Sequence, residues 1–277
     1  MPGQLRVLTS RHLAELRALL DRDPVAHCFV AARLADPLEP WAMTGQVLGW
    51  LEDGRLRSAF YTGANLIPVE TTMASRAAFA AHARRHGRRC SSLVGFADEV
   101  LDLWRMLAPV WGPARDVRDT QPLMSTAEPP HRPADPRLRP LRREEIELLM
   151  PAAVAMFTEE VGISPLEHGG GPAYRARLVE MIEQHRALAI VEQGRIVFKA
   201  EIGSVTAEVC QVQGVWVSPD HRGRGLGVAG MAAVVDHALA SVAPVVSLYV
   251  NDYNHAAMAT YHRVGFRRVG TFATILL

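Results

Sequence analysis

Lysine is almost missing from this sequence: Lys199 stands alone among 30 lysine and arginine residues. Nearly all the positive charge is therefore arginine, the usage of a GC-rich genome, and no function attaches to that bias. Cysteine is scarce too. Cys28, Cys90 and Cys210 are odd in number and scattered, which fits a reducing, cytoplasmic setting better than a disulfide framework. The formal net charge is only +1, so nothing electrostatic recommends a nucleic acid or a membrane surface as partner. No apolar run approaches the roughly 20 residues that cross a bilayer. Arg6 and Arg11 near the start are not followed by the apolar core of a signal peptide. What remains is a globular composition, 49% hydrophobic and 21% charged over 277 residues, long enough for two domains of ordinary size.

Several chemistries are excluded by missing motifs. The run Arg222-Gly223-Arg224-Gly225-Leu226-Gly227 is followed by Val228-Ala229, so it lacks the Lys-Ser/Thr of a Walker A loop. Its third glycine comes one residue early for the dinucleotide fingerprint. His168-Gly169-Gly170-Gly171-Pro172 looks like an esterase oxyanion loop, but the chain has no Gly-x-Ser-x-Gly elbow, and a loop between helices is the better reading. His82, His86 and Cys90 lie four apart, like metal ligands. Arg84, Arg85, Arg88 and Arg89 crowd them and Gly87 interrupts the helix, so no metal is expected.

The organising stretch is Val215-Trp216-Val217, a half-buried strand broken by Ser218-Pro219-Asp220 and followed by the glycine run. Val228, Met231, Val234, Val235, Ala238, Leu239 and Val242 then recur at helical spacing. Strand, glycine-rich turn and helix together leave helix-start amides without partners, a cradle for an anion, and Arg222 and Arg224 add positive charge. Downstream stand a strand, Val245–Val250, and then Asn254, Ala257, Tyr261, Gly265 and Phe266, with Asn254 placed to cap a short helix. Arg-x-x-Gly-x-Gly after Val-x-Val-x-Pro, with Asn-x-x-Ala-x-x-x-Tyr-x-x-x-Gly-Phe following, resembles the GNAT N-acetyltransferase superfamily. The resemblance covers about half the chain.

The resemblance implies acetyl-CoA as acyl donor and a small-molecule or peptide primary amine as acceptor, joined in a ternary complex by a monomer or homodimer. It places the pyrophosphate on Arg222, Gly223, Arg224, Gly225, Leu226, Gly227 and Val228, and the pantetheine arm along Val215, Trp216 and Val217. A free amide near Val215 would polarise the thioester carbonyl. Asn254, Ala257 and Tyr261 complete the coenzyme site, and the Tyr261 phenol, ordinarily protonated at neutral pH, would protonate the departing thiolate. The base stays open between Glu208, on the long strand, and Glu159 or Glu160 at the end of a helix. Cys210 reads as a buried small residue. The alternative to an enzyme is a non-catalytic acyl-CoA-binding or regulatory protein that keeps the loop without turnover.

Three regions are expected: residues 1–126, a proline-rich linker at 127–137, and an acetyltransferase domain at 138–277. The N-terminal region reads in order as a strand, helices through Leu20 and over Ala26–Leu34, a break at Pro37 and Pro40, and a hairpin over Val47–Tyr61. A strand at Leu66–Val69, a helix from Ala74, a strand at Ser92–Phe96, a helix at Glu99–Ala108 and extended segments to Thr126 follow. The second half repeats that order: a helix over Glu144–Phe157, a helix from Tyr174, a hairpin over Ala187–Ile202, a long strand Glu208–Val217 and final strands over Arg267–Leu277. The first half lacks both motifs, so it is read as a degenerate partner kept for packing or for shaping the acceptor site. The whole chain resembles an actinobacterial group of tandem GNAT proteins. The expected class is α/β (α+β), two GNAT-like domains, each a mixed, mostly antiparallel central sheet flanked by helices.

Overall fold

A computed structural model describes residues 3–35 and 46–277; the expected break at Pro37 and Pro40 lies outside the described residues. In chain order the first elements are β1 (Gln4–Val7), α1 (Leu13–Leu20), α2 (Cys28–Ala35), β2 (Gln46–Glu52), β3 (Arg55–Thr62) and β4 (Asn65–Val69). Then come α3 (Met73–His86), β5 (Ser92–Phe96), α4 (Ala97–Trp111), β6 (Asp116–Thr126), β7 (Arg139–Pro140), α5 (Ile146–Val161) and α6 (Gly171–Glu183). The rest are β8 (Ala187–Glu192), β9 (Arg195–Val205), β10 (Val209–Val217), α7 (Leu226–Ser241), β11 (Val245–Tyr249), α8 (His255–Val264) and β12 (Arg267–Leu276). They form two compact units, one of Met1–Met124, Tyr249–Asn254 and Arg268–Leu277, the other of Ser125–Leu248 and His255–Arg267.

In the first unit the strands run β1-β2-β3-β4-β5-β12-β6. Asp53 and Gly54 both take positive φ, 50° and 75°, the turn that matches strand twist in a two-residue hairpin, and so join β2 to β3. Phe60 stacks on Phe79 at 5.1 Å, and Val100, Leu103 and Leu107, spaced for one helical face, bury α4 against the same core. β4 and β5 are parallel and pair at Asn65–Ser92 and Leu66–Leu93; Pro68 has no N–H to carry the ladder on, yet a Cβ on Gly95 would lie 3.6 Å from Pro68, so the two strands stay in contact there.

The second unit orders its strands β11-β10-β9-β8-β7. β10 and β11 pair in parallel only at Val209–Val245, Cys210–Val246 and Gln211–Ser247, so the C-terminal half of β10 leaves β11 behind. Alternation along β9 sets its two faces. A Cβ on Gly230 of α7 would meet the Phe198 ring at 2.7 Å, so α7 covers the Phe198 face and needs glycine at that contact. Lys199 and Glu201 point the other way, where Arg177 of α6 reaches Glu201.

Several boundaries differ from expectation. The domain expected to span 138–277 gives up its end: Phe272, Ala273 and Ile275 are buried and β12 pairs antiparallel with β5, so the expected final strands are one strand of the first unit. The proline-rich segment, expected as a linker, is tied into the second unit: His131 N–H donates to the Val264 carbonyl and Asp135 N–H to that of Ala229. α5 continues through Glu159 and Glu160 to Val161 and closes on left-handed Gly162. α6 starts at Gly171, with Pro172 in its first turn where a missing N–H costs nothing.

Candidate active site

Chain direction builds the site in the second unit. β10 carries Val215, Trp216 and Val217 to its C-terminal end, and a short 3-10 turn, Pro219–His221, reverses the chain into the glycine loop. Gly223 and Gly225 have φ of 71° and 85°, and a Cβ on either would meet nothing within 4 Å. They are glycine for backbone freedom, and the space above them is open. Gly225 caps α7, and its carbonyl accepts from the N–H groups of Val228 and Ala229. The amides of Leu226 and Gly227 have no carbonyl one turn earlier, so they and the helix dipole present positive potential to this opening.

Arg224 is exposed beside this opening. Arg222 donates from Nε to the Val217 carbonyl at 2.9 Å and from Nη2 to Glu159 at 2.7 Å. The other oxygen of Glu159 accepts from Trp216 Nε1 at 3.2 Å. Glu159 therefore ties the end of α5 to the rim of the loop.

Tyr261 lies on α8, buried, with its ring edge-on to Phe266 at 5.8 Å. Burial raises its pKa, and the negative charge of Glu160 raises it further, so the phenol holds its proton throughout the neutral range. Asn254 directly precedes α8 and its N–H donates to the Asn251 carbonyl; Ala257 lies in the first turn of the helix. The sequence-derived residues Val215–Val217, Arg222–Val228, Ala257 and Tyr261 thus share the second unit, on β10, the loop, α7 and α8, whereas Asn254 belongs to the Tyr249–Asn254 segment of the first.

Glu208 is placed elsewhere. β10 starts at Val209, because the Thr206 hydroxyl takes the N–H groups of Glu208 and Val209 in the preceding turn. Glu208 is exposed there, at the end of the strand opposite the glycine loop, six residues or roughly 20 Å of extended chain from Gly214. Among the carboxylates considered, Glu160 is the one whose charge reaches Tyr261. Cys210 is fully buried and burial pushes its thiol up to about 11, the behaviour of a packing residue. In the first unit His82 and His86 stack at 3.9 Å on α3, and among the described residues no three His, Cys, Asp or Glu side chains converge as metal ligands.

Sequence reasoning missed a buried ionic cluster next to this strand. Lys199 Nζ donates to Glu201 at 2.8 Å and to the Gly214 carbonyl at 2.8 Å, with Lys199 at 0% and Glu201 at 1% exposure. Arg177 and Gln213 donate to the other Glu201 oxygen at 3.4 and 3.3 Å. The signal was there to read: Val197-Phe198-Lys199-Ala200-Glu201 sets two opposite charges two apart, on one face of an otherwise apolar strand.

Comparison with known proteins bears on the family and the fold. Residues 154–266 match the model of the acetyltransferase (GNAT) family, and residues 45–149 match a domain of unknown function, DUF4081. No curated sequence matches the chain. Among solved structures, a GCN5-related N-acetyltransferase from Sphaerobacter thermophilus superposes with a TM-score of 0.62 at 17% identity, over 99% of this chain and 96% of that one. A GNAT-family acetyltransferase from Colwellia psychrerythraea gives 0.58 at 12%, over 99% of both chains. A tandem GNAT protein of the clavulanic acid biosynthesis pathway gives 0.54 at 14%, over 99% and 98%. At these identities the likeness speaks for the fold. No helix among the described residues is long and apolar enough to cross a membrane. Residues 154–266 form a domain of the acetyltransferase (GNAT) family, set in a chain with the fold of the tandem GNAT proteins.

Proposed function

We propose that this protein transfers an acetyl group from acetyl-CoA to a primary amine by direct attack within a ternary complex. The observation that carries the reading is the conjunction on one unit of a splayed strand end, an open glycine loop at a helix start and a buried, protonated tyrosine. The loop residues fit the donor: open space above Gly223 and Gly225, unpaired amides at Leu226 and Gly227, and Arg224 at the rim receive the pyrophosphate. The free edge of β10 at Val215–Val217 receives the pantetheine arm as an added strand.

The amine attacks only when neutral, so a carboxylate must take its proton, directly or through a water. Glu160, the acid whose charge Tyr261 senses, is our choice over Glu208. The developing oxyanion takes a hydrogen bond from the Val215 N–H, and Tyr261 protonates the sulfur as the C–S bond breaks.

The test is release of coenzyme thiol across a panel of amines, with Tyr261→Phe beside the wild type. General acid help is typically about 10²–10⁴-fold, so the variant should lose turnover on that scale while coenzyme affinity stays unchanged. Tight acetyl-CoA binding with no turnover on any amine would instead support the non-catalytic alternative.

A further inference from the structure

We propose that the buried Lys199–Glu201 pair is a positioning device that aims the Val215 N–H at the thioester carbonyl. The proposal rests on the acyl-transfer reading and assigns to two residues outside the loop the task of building its oxyanion donor.

The register of β10 against β9 jumps from Gln213–Glu201 to Trp216–Lys199, so the ladder skips Gly214 and Val215. This is a β-bulge, with Gly214 at φ 57°. A bulge frees backbone groups but leaves them free to rotate. Here one of them is held. Lys199 Nζ reaches across the bulge to the Gly214 carbonyl at 2.8 Å, on the face of the sheet that carries Arg177.

The Gly214 C=O and the Val215 N–H belong to one planar trans peptide, so they point in opposite directions. Pulling the carbonyl toward α6 turns the amide toward the α7 side, where the glycine loop opens. A hydrogen bond from an ammonium to that carbonyl also polarises the peptide, and strengthens the N–H as a donor.

The setting fits a lock rather than incidental packing. A lysine buried to 0% is costly unless paired, and Glu201 supplies the partner. Burial alone would raise the Glu201 carboxyl, but Lys199 first and then Arg177 and Gln213 overcome that and hold its pKa below the ordinary range. Gly214 suits the contact: its φ of 57° favours glycine, and a Cβ there would sit 3.1 Å from Lys199 Nζ and 3.2 Å from Glu201 Cδ, close enough to push them aside. Replacing a buried pair with apolar residues is often neutral, so a purely structural role does not demand these two charges.

The test needs no knowledge of the acceptor. The carbonyl stretch of ¹³C-labelled acetyl-CoA, free and bound, reads the hydrogen bond directly by isotope-edited infrared difference spectroscopy. Wild type is expected to shift the stretch to lower frequency on binding. The double variant K199M/E201M, which removes both charges and leaves neither stranded, should lose most of that shift while the dissociation constant stays within about twofold. Turnover on an active amine should fall about 10²-fold, the usual loss for one oxyanion donor. If the double variant does not fold, Gly214→Ala, which crowds Lys199 off the carbonyl, takes its place with the same expectation. An undiminished shift in a folded variant overturns the proposal, as does a wild type that binds acetyl-CoA with no shift. Failure of wild type to bind acetyl-CoA at all would remove the donor-site reading itself.

Discussion

Thr71 gives both its hydroxyl, at 2.7 Å, and its backbone N–H to a single carboxylate oxygen of Glu99. Thr71 sits in the three-residue turn from β4 to α3, the position in the first unit that corresponds to the glycine loop between β10 and α7. In the second unit that turn is open, with nothing within 4 Å of a Cβ on Gly223 or Gly225. In the first unit it is short and already holds an anion of its own, with Thr72 capping α3 through Ser75 N–H. One acetyl-CoA per chain is therefore expected. Calorimetric titration to saturation checks the count, and two equivalents would mean that the first unit also accepts coenzyme.

Glu99 should make stability depend on pH in a recognisable window. Burial raises its carboxyl to about 6 from an ordinary 4.5, against the lowering effect of the two Thr71 bonds. The folded state therefore keeps a proton that the unfolded chain has released between those values. Stability contributed at lower pH is lost as pH rises from about 4.5 to 6, on the order of 2 kcal/mol in total. Urea unfolding of Glu99→Gln across pH 4–7 should lack this slope, and an identical profile in both proteins would place the titration elsewhere.

Gly225→Asp should weaken acetyl-CoA binding about tenfold or more. It places a carboxylate at the start of α7, where the pyrophosphate is proposed to sit, and a side chain at φ 85°. The Cβ faces open space, but a non-glycine residue at φ 85° is strained, so a lower melting temperature is expected beside the loss of affinity. Wild-type affinity in calorimetry would move the phosphate site away from this loop.

Ile275→Ala should destabilise the first unit although it lies beyond the acetyltransferase motifs. Ile275 is at 0% exposure in the cluster with Phe60, Phe79, Leu93 and Leu103. Deleting such a side chain typically costs about 2–5 kcal/mol. Hydrogen exchange should show faster opening of β5 and α4; unchanged protection there would contradict the placement of β12.

The parts legible in the sequence were those governed by short-range pattern. Glycine spacing, the alternation of Val215-Trp216-Val217 and the helical period after Gly225 located the loop to the residue. The hairpin at Asp53-Gly54 and the duplicate element order were equally local. What escaped depends on contacts far apart in the chain. Nothing in Arg267–Leu277 says that its partner is Ser92–Phe96. Glu208 and Glu201 look alike in sequence, and only the Thr206 turn and the register of β9 put one at an exposed end and the other beneath the bulge.

β12 has a consequence for synthesis. The first unit is translated early, but the strand that sits between β5 and β6 in its sheet is made only after the whole acetyltransferase region. Until residues 267–276 are made, β5 and β6 each lack the neighbour that separates them in the finished sheet, so completion of the first unit waits on a segment encoded after the acetyltransferase region.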